Sequence, residues 1–388
     1  MRVWRILRAL PLVLVLPAGC GGGVERPVKT AVGPIAPGCA AASTRAGWRP
    51  PMVRRAGDAV AFDAFIGQLA EQPVVFIGER HDRYADHLLE LEIICRLHQR
   101  NPDVAIGMEV FQRPYQQALD DYVAGRAGTS ELLERSEYYQ RWRFDYRLYA
   151  PILAYARDQG IPVVALNVPT EITRKVARHG IGSLSAAERT RVPARIEAAD
   201  SAYRARLYRV FTQHPGFKRR NFGYFLDSQL LWDEGMAASA ARYTKAHPGR
   251  RLIVIVGGGH LAPGAIPERY ARRTGEVGAI VVPRRMAGAQ DTVYAYTGHP
   301  LSLPEPGRLG IVLKSVKDRV VAEAFADDSA AREAGVAKGD RLLSVNGRRV
   351  KGIADIRIAL WDQRPGDTVS IRVGRATGGE ENYRVTLR

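Results

Sequence analysis

Residues 74–82 read VVFIGERHD, a short apolar run that ends in glycine and then in charged and imidazole side chains. A continuous apolar run of this length is typical of a strand that is buried on both faces, as in a parallel sheet. Similar runs occur at 104–108 (VAIGM), 162–166 (PVVAL), 252–256 (LIVIV) and 279–282 (AIVV). Because helical patterns alternate with these runs, the sequence predicts an α/β fold with a mostly parallel sheet flanked by helices.

A long stretch between the third and fourth strands, residues 170–246, is almost entirely helical in pattern. Ser185 and Glu188 have the spacing of a capping box, and residues 227–243 form an amphipathic pattern. A helical insertion of this size commonly covers the mouth of a sheet. We therefore expect it to lie over the site.

Ligands bind at the carboxyl ends of the strands in open α/β sheets, so the polar residues that follow the strands are candidates for a site. Two segments of the form Gly-x-x-His, at 78–81 and 257–260, end the first and fourth strands. The candidates for a catalytic or ligand-binding cleft are Glu79, His81, Glu109 and His260. The residues expected to support that cleft rather than to bind directly are Asp82, His87 and Asn167.

Imidazoles and carboxylates at one edge of a sheet suit two kinds of chemistry. They can hold a divalent metal, for which His81 and His260 are the candidate ligands, and leave a carboxylate as general base. Without metal, the same groups can act as an acid–base pair. Glu109 has a simpler interpretation as the buried partner of Arg113 or of another arginine.

Residues 138–149, YYQRWRFDYRLY, are dense in aromatic rings and arginines. Such a set suits a flat apolar ligand with anionic groups at its edge, such as haem, and tyrosinate is a known ligand of haem iron. The alternative is an amphipathic helix whose rings pack on the sheet.

The first twenty residues have the pattern of a secretory signal. Basic residues precede an apolar run at 9–18, which is too short to span a bilayer, and small residues lead to Cys20. This pattern resembles a lipobox and predicts acylation of Cys20, with Pro17 as a departure from the usual motif. An ordinary signal with an incidental cysteine is the alternative. Residues 21–50 are predicted to be a flexible tether, and Gly21 favours the periplasmic face of the outer membrane.

The formal net charge of +17 arises from 57 Lys and Arg against 40 Asp and Glu, spread along the chain. An exported protein does not ordinarily meet nucleic acid, so we interpret the charge as affinity for anionic head groups or ligands. A Cys39–Cys95 disulfide is allowed in the periplasm, but we expect a buried Cys95 instead of that disulfide.

Several motifs together resemble the ChaN-type haem-binding lipoproteins. They are GERHD at 78–82, MEVFQRP at 108–114, FDYRLYAPIL at 144–153, PVVALNVP at 162–169, QLLWDEGMA at 229–237 and GGGH at 257–260. The resemblance implies an iron-related outer-membrane lipoprotein whose dimer holds haem between subunits, with a tyrosine on the iron. Tyr146 and Tyr149 are the candidates for that tyrosine.

The wider superfamily of the resemblance includes erythromycin esterases and Tiki-type metalloproteases. In those enzymes the Glu and His of the first motif and the later Gly-x-x-His carry the chemistry. The resemblance therefore implies such roles for Glu79, His81 and His260, and it leaves open whether this chain is an enzyme.

A proline-rich linker at 300–307 separates the main domain, 51–299, from a smaller unit at 308–388 that resembles a PDZ domain. In such domains, backbone N–H groups of a loop, here Leu309, Gly310 and Ile311, bind the C-terminal carboxylate of a peptide that adds to the sheet edge. Three functions follow as expectations. The first is a haem-binding envelope lipoprotein of iron handling that recruits a protein C-terminus, the second is a Glu/His-dependent hydrolase, and the third is a PDZ scaffold with a vestigial cleft.

Overall fold

The computed structural model describes residues 47–213, 215–287 and 293–388. The predicted signal peptide with Cys20, and the predicted tether as far as residue 46, lie outside these ranges. Among the helices of the described ranges, none is long and apolar enough to cross a membrane.

Eight strands form the main sheet, in the order β2-β1-β8-β7-β3-β6-β4-β5. They are β1 (Met52–Arg55), β2 (Asp58–Val60), β3 (Val74–Glu79), β4 (Val104–Gln112), β5 (Val163–Asn167), β6 (Arg251–Gly257), β7 (Ala279–Pro283) and β8 (Val293–Thr297). The strands from β8 to β5 are parallel to their neighbours, and the hairpin of β1 and β2 joins the β8 edge antiparallel.

The predicted mostly parallel sheet is thus confirmed. Four of the five apolar runs lie within its strands, and the run at 162–166 begins one residue before β5. Its central strands are apolar on both faces because both faces are covered. Val75 and Ile77 of β3 belong to one core, and Val74 and Phe76 belong to the core on the opposite face. The strands β1, β2 and β8 were not predicted, because β1 and β2 are short and contain charged residues and β8 (VYAYT) has aromatic rather than aliphatic side chains.

Helices cover both faces of the sheet. In chain order they are α1 (Phe62–Ala70), α2 (Tyr84–Arg100), α3 (Gln116–Val123), α4 (Thr129–Arg135), α5 (Tyr138–Arg141), α6 (Ala150–Asp158), α7 (Thr170–His179), α8 (Ala186–Arg189), α9 (Ser201–Gln213), α10 (Phe222–Ala246) and α11 (Ile266–Thr274). The predicted helical insertion corresponds to α7–α10, and the capping box of Ser185 and Glu188 begins α8.

Residues 138–149 do not form one amphipathic helix. Their described structure is the short helix α5, followed by a 3-10 turn at Tyr146–Leu148. The rings of Tyr138, Tyr146 and Tyr149 are buried, as the simpler of the two interpretations predicted, whereas those of Trp142 and Phe144 are only partly buried. Cys95, on α2, is fully buried and disulfide-bonded, and the other two cysteines lie outside the described residues.

The C-terminal unit is an antiparallel sheet with two short helices. Its elements are β9 (Ile311–Val316), β10 (Arg319–Phe325), α12 (Ala330–Glu333), β11 (Arg341–Val345), β12 (Arg348–Arg349), α13 (Ile353–Ala359), β13 (Thr368–Gly374) and β14 (Glu380–Thr386). Asn346 and Gly347, both at positive φ, connect β11 to β12, as expected for a hairpin turn. Strand β9 lies at the sheet edge.

The C-terminal unit packs directly on the main domain. Ile358 of α13 is buried in the core of the main domain, and Trp361 makes an edge contact with Tyr146 at 5.3 Å between ring centroids. An ion pair of 2.6 Å joins Arg348 to Glu134 of α4. The two units are therefore joined by packed side chains as well as by the linker.

Candidate functional site

The carboxyl ends of β3, β6 and β4 are neighbours in the sheet, and they bring the predicted cleft residues together. Glu79 is the last residue of β3 and pairs in register with Gly257, the last residue of β6. His260 follows in a 3-10 turn, and Glu109 lies near the end of β4. Gly78 must be small because a Cβ there would lie 2.9 Å from the Cα of Gly258.

Glu79 and His81 form the first carboxylate–histidine pair. Their Oε1 and Nδ1 atoms are 2.6 Å apart, and the hydroxyl of Tyr149 donates a hydrogen bond to the same oxygen at 3.2 Å. The Oε2 atom of Glu79 is buried and has no hydrogen-bond partner among the described residues. The rings of Trp142 and Phe144 each lie 4.8 Å from the His81 ring and form the apolar wall beside it.

His260 lies between two carboxylates and forms the second pair. Its Nδ1 atom is 2.5 Å from Asp233 of α10, and its Nε2 atom is 3.4 Å from Oε1 of Glu109. The other oxygen of Glu109 accepts the N–H of Gly257 at 2.6 Å, and the Tyr203 hydroxyl donates to Asp233 at 2.7 Å. Asp233 was missed by the sequence analysis, although it lies in the QLLWDEGMA motif.

The charges of these groups reinforce one another. Burial alone would lower the pKa of His260, but the charges of Glu109 and Asp233 outweigh it and raise that pKa to about 10. Burial would raise the pKa of Glu109, but His260 and His81 lower it to about 2. For His81, the charges of Glu79 and Glu109 likewise outweigh burial and raise the pKa. At neutral pH, His260 is therefore an imidazolium beside the ionised carboxylate of Glu109.

The residues predicted to support the cleft are placed in different ways. His87 is buried behind His81, with its Nδ1 atom 3.0 Å from Glu90 and its Nε2 atom 3.3 Å from the His81 carbonyl. Asn167 donates to the Glu109 carbonyl at 3.0 Å. Asp82 is exposed at the rim. The simpler interpretation of Glu109 is not observed, because Arg113 instead donates to the Arg191 carbonyl.

A large cavity of about 1920 Å³ opens above this floor. Its aromatic and apolar lining includes Trp142, Phe144, Tyr224, Trp232 and Met286. Ten arginines also line it, namely Arg80, Arg83, Arg141, Arg143, Arg174, Arg178, Arg219, Arg220, Arg284 and Arg285. We call this space the arginine cavity. It exceeds the roughly 300–1,000 Å³ of most small-molecule pockets.

Comparison with known families agrees with this geometry. The family model described as haem-binding uptake, Tiki superfamily, ChaN matches residues 65–269, more than half of the chain. The chain belongs to the ChaN family. A PDZ domain model matches residues 307–387.

The individual proteins that resemble this ChaN-family chain share little of its sequence. The ChaN of Campylobacter jejuni, solved with cofacial haem, has 13% identity and a TM-score of 0.53, covering 64% of this chain and 97% of its own. That similarity shows the fold alone. A mutant of the erythromycin esterase EreC has 16% identity over 76% of this chain and 89% of its own, but its TM-score is only 0.36. The Arabidopsis thaliana protein RETICULATA-RELATED 5, chloroplastic, is 30% identical over 130 residues, 31% of this chain. The chain spans only 17% of the length of that relative.

The two tyrosines predicted to bind haem iron do not line the arginine cavity. Tyr146 is fully buried against Tyr138 and Trp361, and Tyr149 is buried behind Glu79. Burial raises the pKa of both hydroxyls well above the ordinary value, which disfavours tyrosinate. Tyr224 of α10 does line the cavity and is 37% exposed.

The position of Tyr224 depends on a glycine at the end of α7. Gly180 has φ +77°, and a Cβ there would lie 2.9 Å from the Tyr224 ring. The ring therefore lies against the helix terminus, with Arg174 and Arg178 of the same helix also lining the cavity. The sequence offered no signal for Tyr224, because it lies outside the densest aromatic segment.

The remaining predicted sites are metal ligation and the PDZ loop. No three His, Cys, Asp or Glu side chains of the described ranges form a metal-binding group. The metal-ligand role of His81 and His260 stays a prediction. In the PDZ domain, Leu309 is buried, and Gly310 has φ +70° with the Cα of Ser329 only 2.6 Å from where a Cβ would be. This close approach requires glycine between Leu309 and Ile311.

The paired charges predict an unusual titration of His260. By NMR, its imidazole should titrate near pH 10, and Asp233→Asn should lower the midpoint by roughly one to three pH units. Because its folded pKa exceeds the ordinary 6.5, the stabilising contribution of His260 is complete below pH 6.5 and is lost as the pH rises towards 10. Asp82→Asn, at the cavity rim, is the control and should leave the midpoint unchanged. An ordinary midpoint in the unsubstituted protein would contradict the ion-paired arrangement.

Proposed function

We propose that this protein is a lipid-anchored component of the bacterial envelope that binds haem in the arginine cavity and serves iron uptake or handling. Its PDZ domain binds the C-terminus of a partner protein and so brings that partner close to the cavity. The observation that carries the proposal is the composition of the cavity, which combines aromatic walls with ten arginines above a floor of paired charges.

The lining suits the chemistry of haem. A porphyrin is flat and apolar, and its two propionates are anionic, so it needs aromatic surfaces and cations near each other. Trp142 and Phe144 supply such surfaces, and Arg141 and Arg143 come from the same short segment. The membership of the ChaN family and the cofacial haem of the Campylobacter jejuni structure support this ligand.

Tyr224 is the residue that we propose to bind the iron. Tyrosine is an established axial ligand of haem iron. Of the tyrosines that line the cavity, Tyr296 is buried and donates its hydroxyl to the Gly78 carbonyl, whereas Tyr224 is exposed. When bound, haem would supply an iron centre, and the role of this chain is to hold it.

Haem titration of the full chain, followed by absorbance, tests this proposal. A saturable change of the Soret band is expected, and Tyr224→Phe should alter that band and weaken binding on the order of tenfold or more, because the phenolic oxygen is removed. Tyr208→Phe is the matched control, since Tyr208 is exposed but does not line the cavity. Sedimentation of the loaded protein shows whether haem bridges two copies. Equal titrations for both variants would remove Tyr224 from the proposal.

The second candidate function is a Glu/His-dependent hydrolase, and the pairing of His260 with Glu109 and Asp233 favours it. That triad resembles the arrangement in which a carboxylate orients a catalytic imidazole. A histidine protonated at neutral pH, however, is a poor general base. A chain with no Soret change that cleaves an ester, and loses that activity in His260→Asn, would replace the haem proposal with this one.

Export and acylation are part of the proposal. The disulfide at Cys95 supports an oxidising compartment, because disulfides are rare in cytosolic proteins. The signal-like first twenty residues and the glycines after Cys20 support an anchor on a tether.

Labelling with radioactive palmitate in bacterial cells tests the anchor. The full chain should carry label and sediment with membranes, whereas Cys20→Ser should lose the label because the acylated thiol is gone. Cys39→Ser is the matched control and should keep it. Label that persists in Cys20→Ser would contradict the anchor.

Peptide binding by the PDZ domain depends on the free carboxylate of the ligand. A fluorescent peptide with an apolar last residue should bind the full chain, and its C-terminal amide should bind roughly tenfold more weakly, because a charge-assisted hydrogen bond is lost. Gly310→Val should abolish the preference, whereas Gly128→Ala, in open space on the main domain, should not. Equal anisotropy curves for acid and amide would reject the proposed carboxylate loop.

A further inference from the structure

Residues 201–226 contain six cations and no carboxylate. They comprise α9, a 3-10 turn at Phe217–Arg219 and the start of α10. Other cations of the helical insertion pair with acids, as Lys175 does with Glu188 and Arg191 with Glu171. A segment of one charge sign in a folded domain indicates an anionic partner.

Exposed side chains of α9 and of the start of α10 contact one another in this segment. The rings of Tyr208 on α9 and Phe222 on α10 are 5.1 Å apart, and the Arg204 guanidinium lies 5.2 Å from the Phe222 ring. We call this surface the basic corner. Its residues are Arg204, Tyr208, Arg209, Lys218, Arg219, Arg220, Phe222 and Tyr224.

The cations of the basic corner are exposed and unneutralised. None of its five cations forms an ion pair with a residue that the structure describes. Tyr208 is 52% exposed and Tyr224 is 37% exposed, so two of the large apolar side chains that the described surface presents lie here. Exposed rings among unpaired cations are the composition of surfaces that bind at a membrane interface.

One side of α9 packs in the core, and the other side is free to contact a partner. Tyr203, Leu207 and Phe211, spaced four residues apart, are buried against α10. Arg204 and Tyr208 are exposed on the remaining side. The helix therefore has an apolar inner face and a basic, aromatic outer face.

We propose that the basic corner binds the anionic surface of a lipid bilayer, as a second membrane contact independent of the acyl anchor. Cations near an anionic bilayer each contribute favourably, and tyrosine rings insert at the level of the head groups. The proposal rests on the envelope location proposed above and not on haem binding.

Charge complementarity favours a bilayer over a second copy of the chain. Two basic corners facing each other would bring ten uncompensated cations together, which is repulsive. An anionic bilayer instead offers phosphates across the whole surface. The chain's proposed export also removes nucleic acid from consideration.

The contact would set the orientation of the arginine cavity. Arg219, Arg220 and Tyr224 belong both to the basic corner and to the cavity lining. A corner that lies on the bilayer places the mouth of the cavity at the head groups. An apolar ligand that partitions into lipid would then reach the cavity without crossing water.

Vesicle sedimentation with the full chain carrying Cys20→Ser, which cannot be acylated, tests the corner. The vesicles contain equal parts of phosphatidylglycerol and phosphatidylcholine, or phosphatidylcholine alone. Adding Arg204→Ser, Arg209→Ser and Lys218→Ser should weaken binding to the anionic vesicles on the order of a hundredfold, because each cation near the surface contributes a factor of about five. These three residues do not line the cavity, so haem titration of the same variant should be unchanged.

The matched control removes the same charge from the PDZ domain through Arg319→Ser, Lys338→Ser and Arg384→Ser, all exposed positions. The control should bind anionic vesicles as the parent does, with thermal melts showing that both variants are folded. Equal loss in the two triple variants, or equal binding of the parent to both vesicle types, would overturn the proposal. A corner variant that keeps vesicle binding but changes the sedimentation of the lipid-free protein would identify a second copy as the partner instead.

Discussion

The carboxylate of Glu109 is the interaction on which the site depends, because it joins three strands and the helical insertion. One oxygen accepts the Gly257 N–H at the end of β6, and the other lies 3.4 Å from His260. Its own carbonyl is held by Asn167 at the end of β5. His260 then connects this point to Asp233 of α10. Without this carboxylate, the buried imidazolium of His260 would keep only Asp233 as a counter-charge. Such a loss is destabilising in a low-dielectric interior.

The site separates its charges by depth. The floor contains histidines already paired with carboxylates, so its charges largely compensate one another. Seven of the ten arginines that line the cavity are exposed, so an anionic ligand would meet them first. The uncompensated positive charge attracts an anion to the mouth of the cavity, whereas the groups on its floor are paired with one another. A ligand with a large apolar body and anionic groups at one edge matches both levels.

Much of the fold could be predicted from the sequence, since strands buried on both faces are continuous apolar runs. The strands β2, β1 and β8, at one side of the sheet, could not, because each has at most five residues and none is a run of aliphatic side chains. Four cleft residues were predicted because each lies at or just beyond the carboxyl end of an apolar run, and parallel strands bring such ends together. Asp233 was missed because it lies in the middle of a long helix, where the pattern shows amphipathicity but not which strand end the helix faces.

The arginine cavity and its tyrosine were beyond sequence reasoning for a related reason. Its arginines are spread from Arg80 to Arg285, and only the folded chain gathers them. The dense rings of residues 138–149 pointed to two tyrosines that the structure buries away from the cavity, because aromatic density accompanies packing as readily as ligand binding. Tyr146 is used in packing on Trp361.

The contact between Trp361 and Tyr146 has a consequence for whatever the PDZ domain holds. Because α13 is packed into the core of the main domain, the peptide-binding unit cannot swing freely on its linker. A protein bound to the PDZ domain would be held in one orientation and at one distance from the cavity. Its local concentration there would be set by the rigid geometry of the scaffold rather than by the statistics of a flexible chain. The PDZ domain and the arginine cavity then act together at a fixed separation.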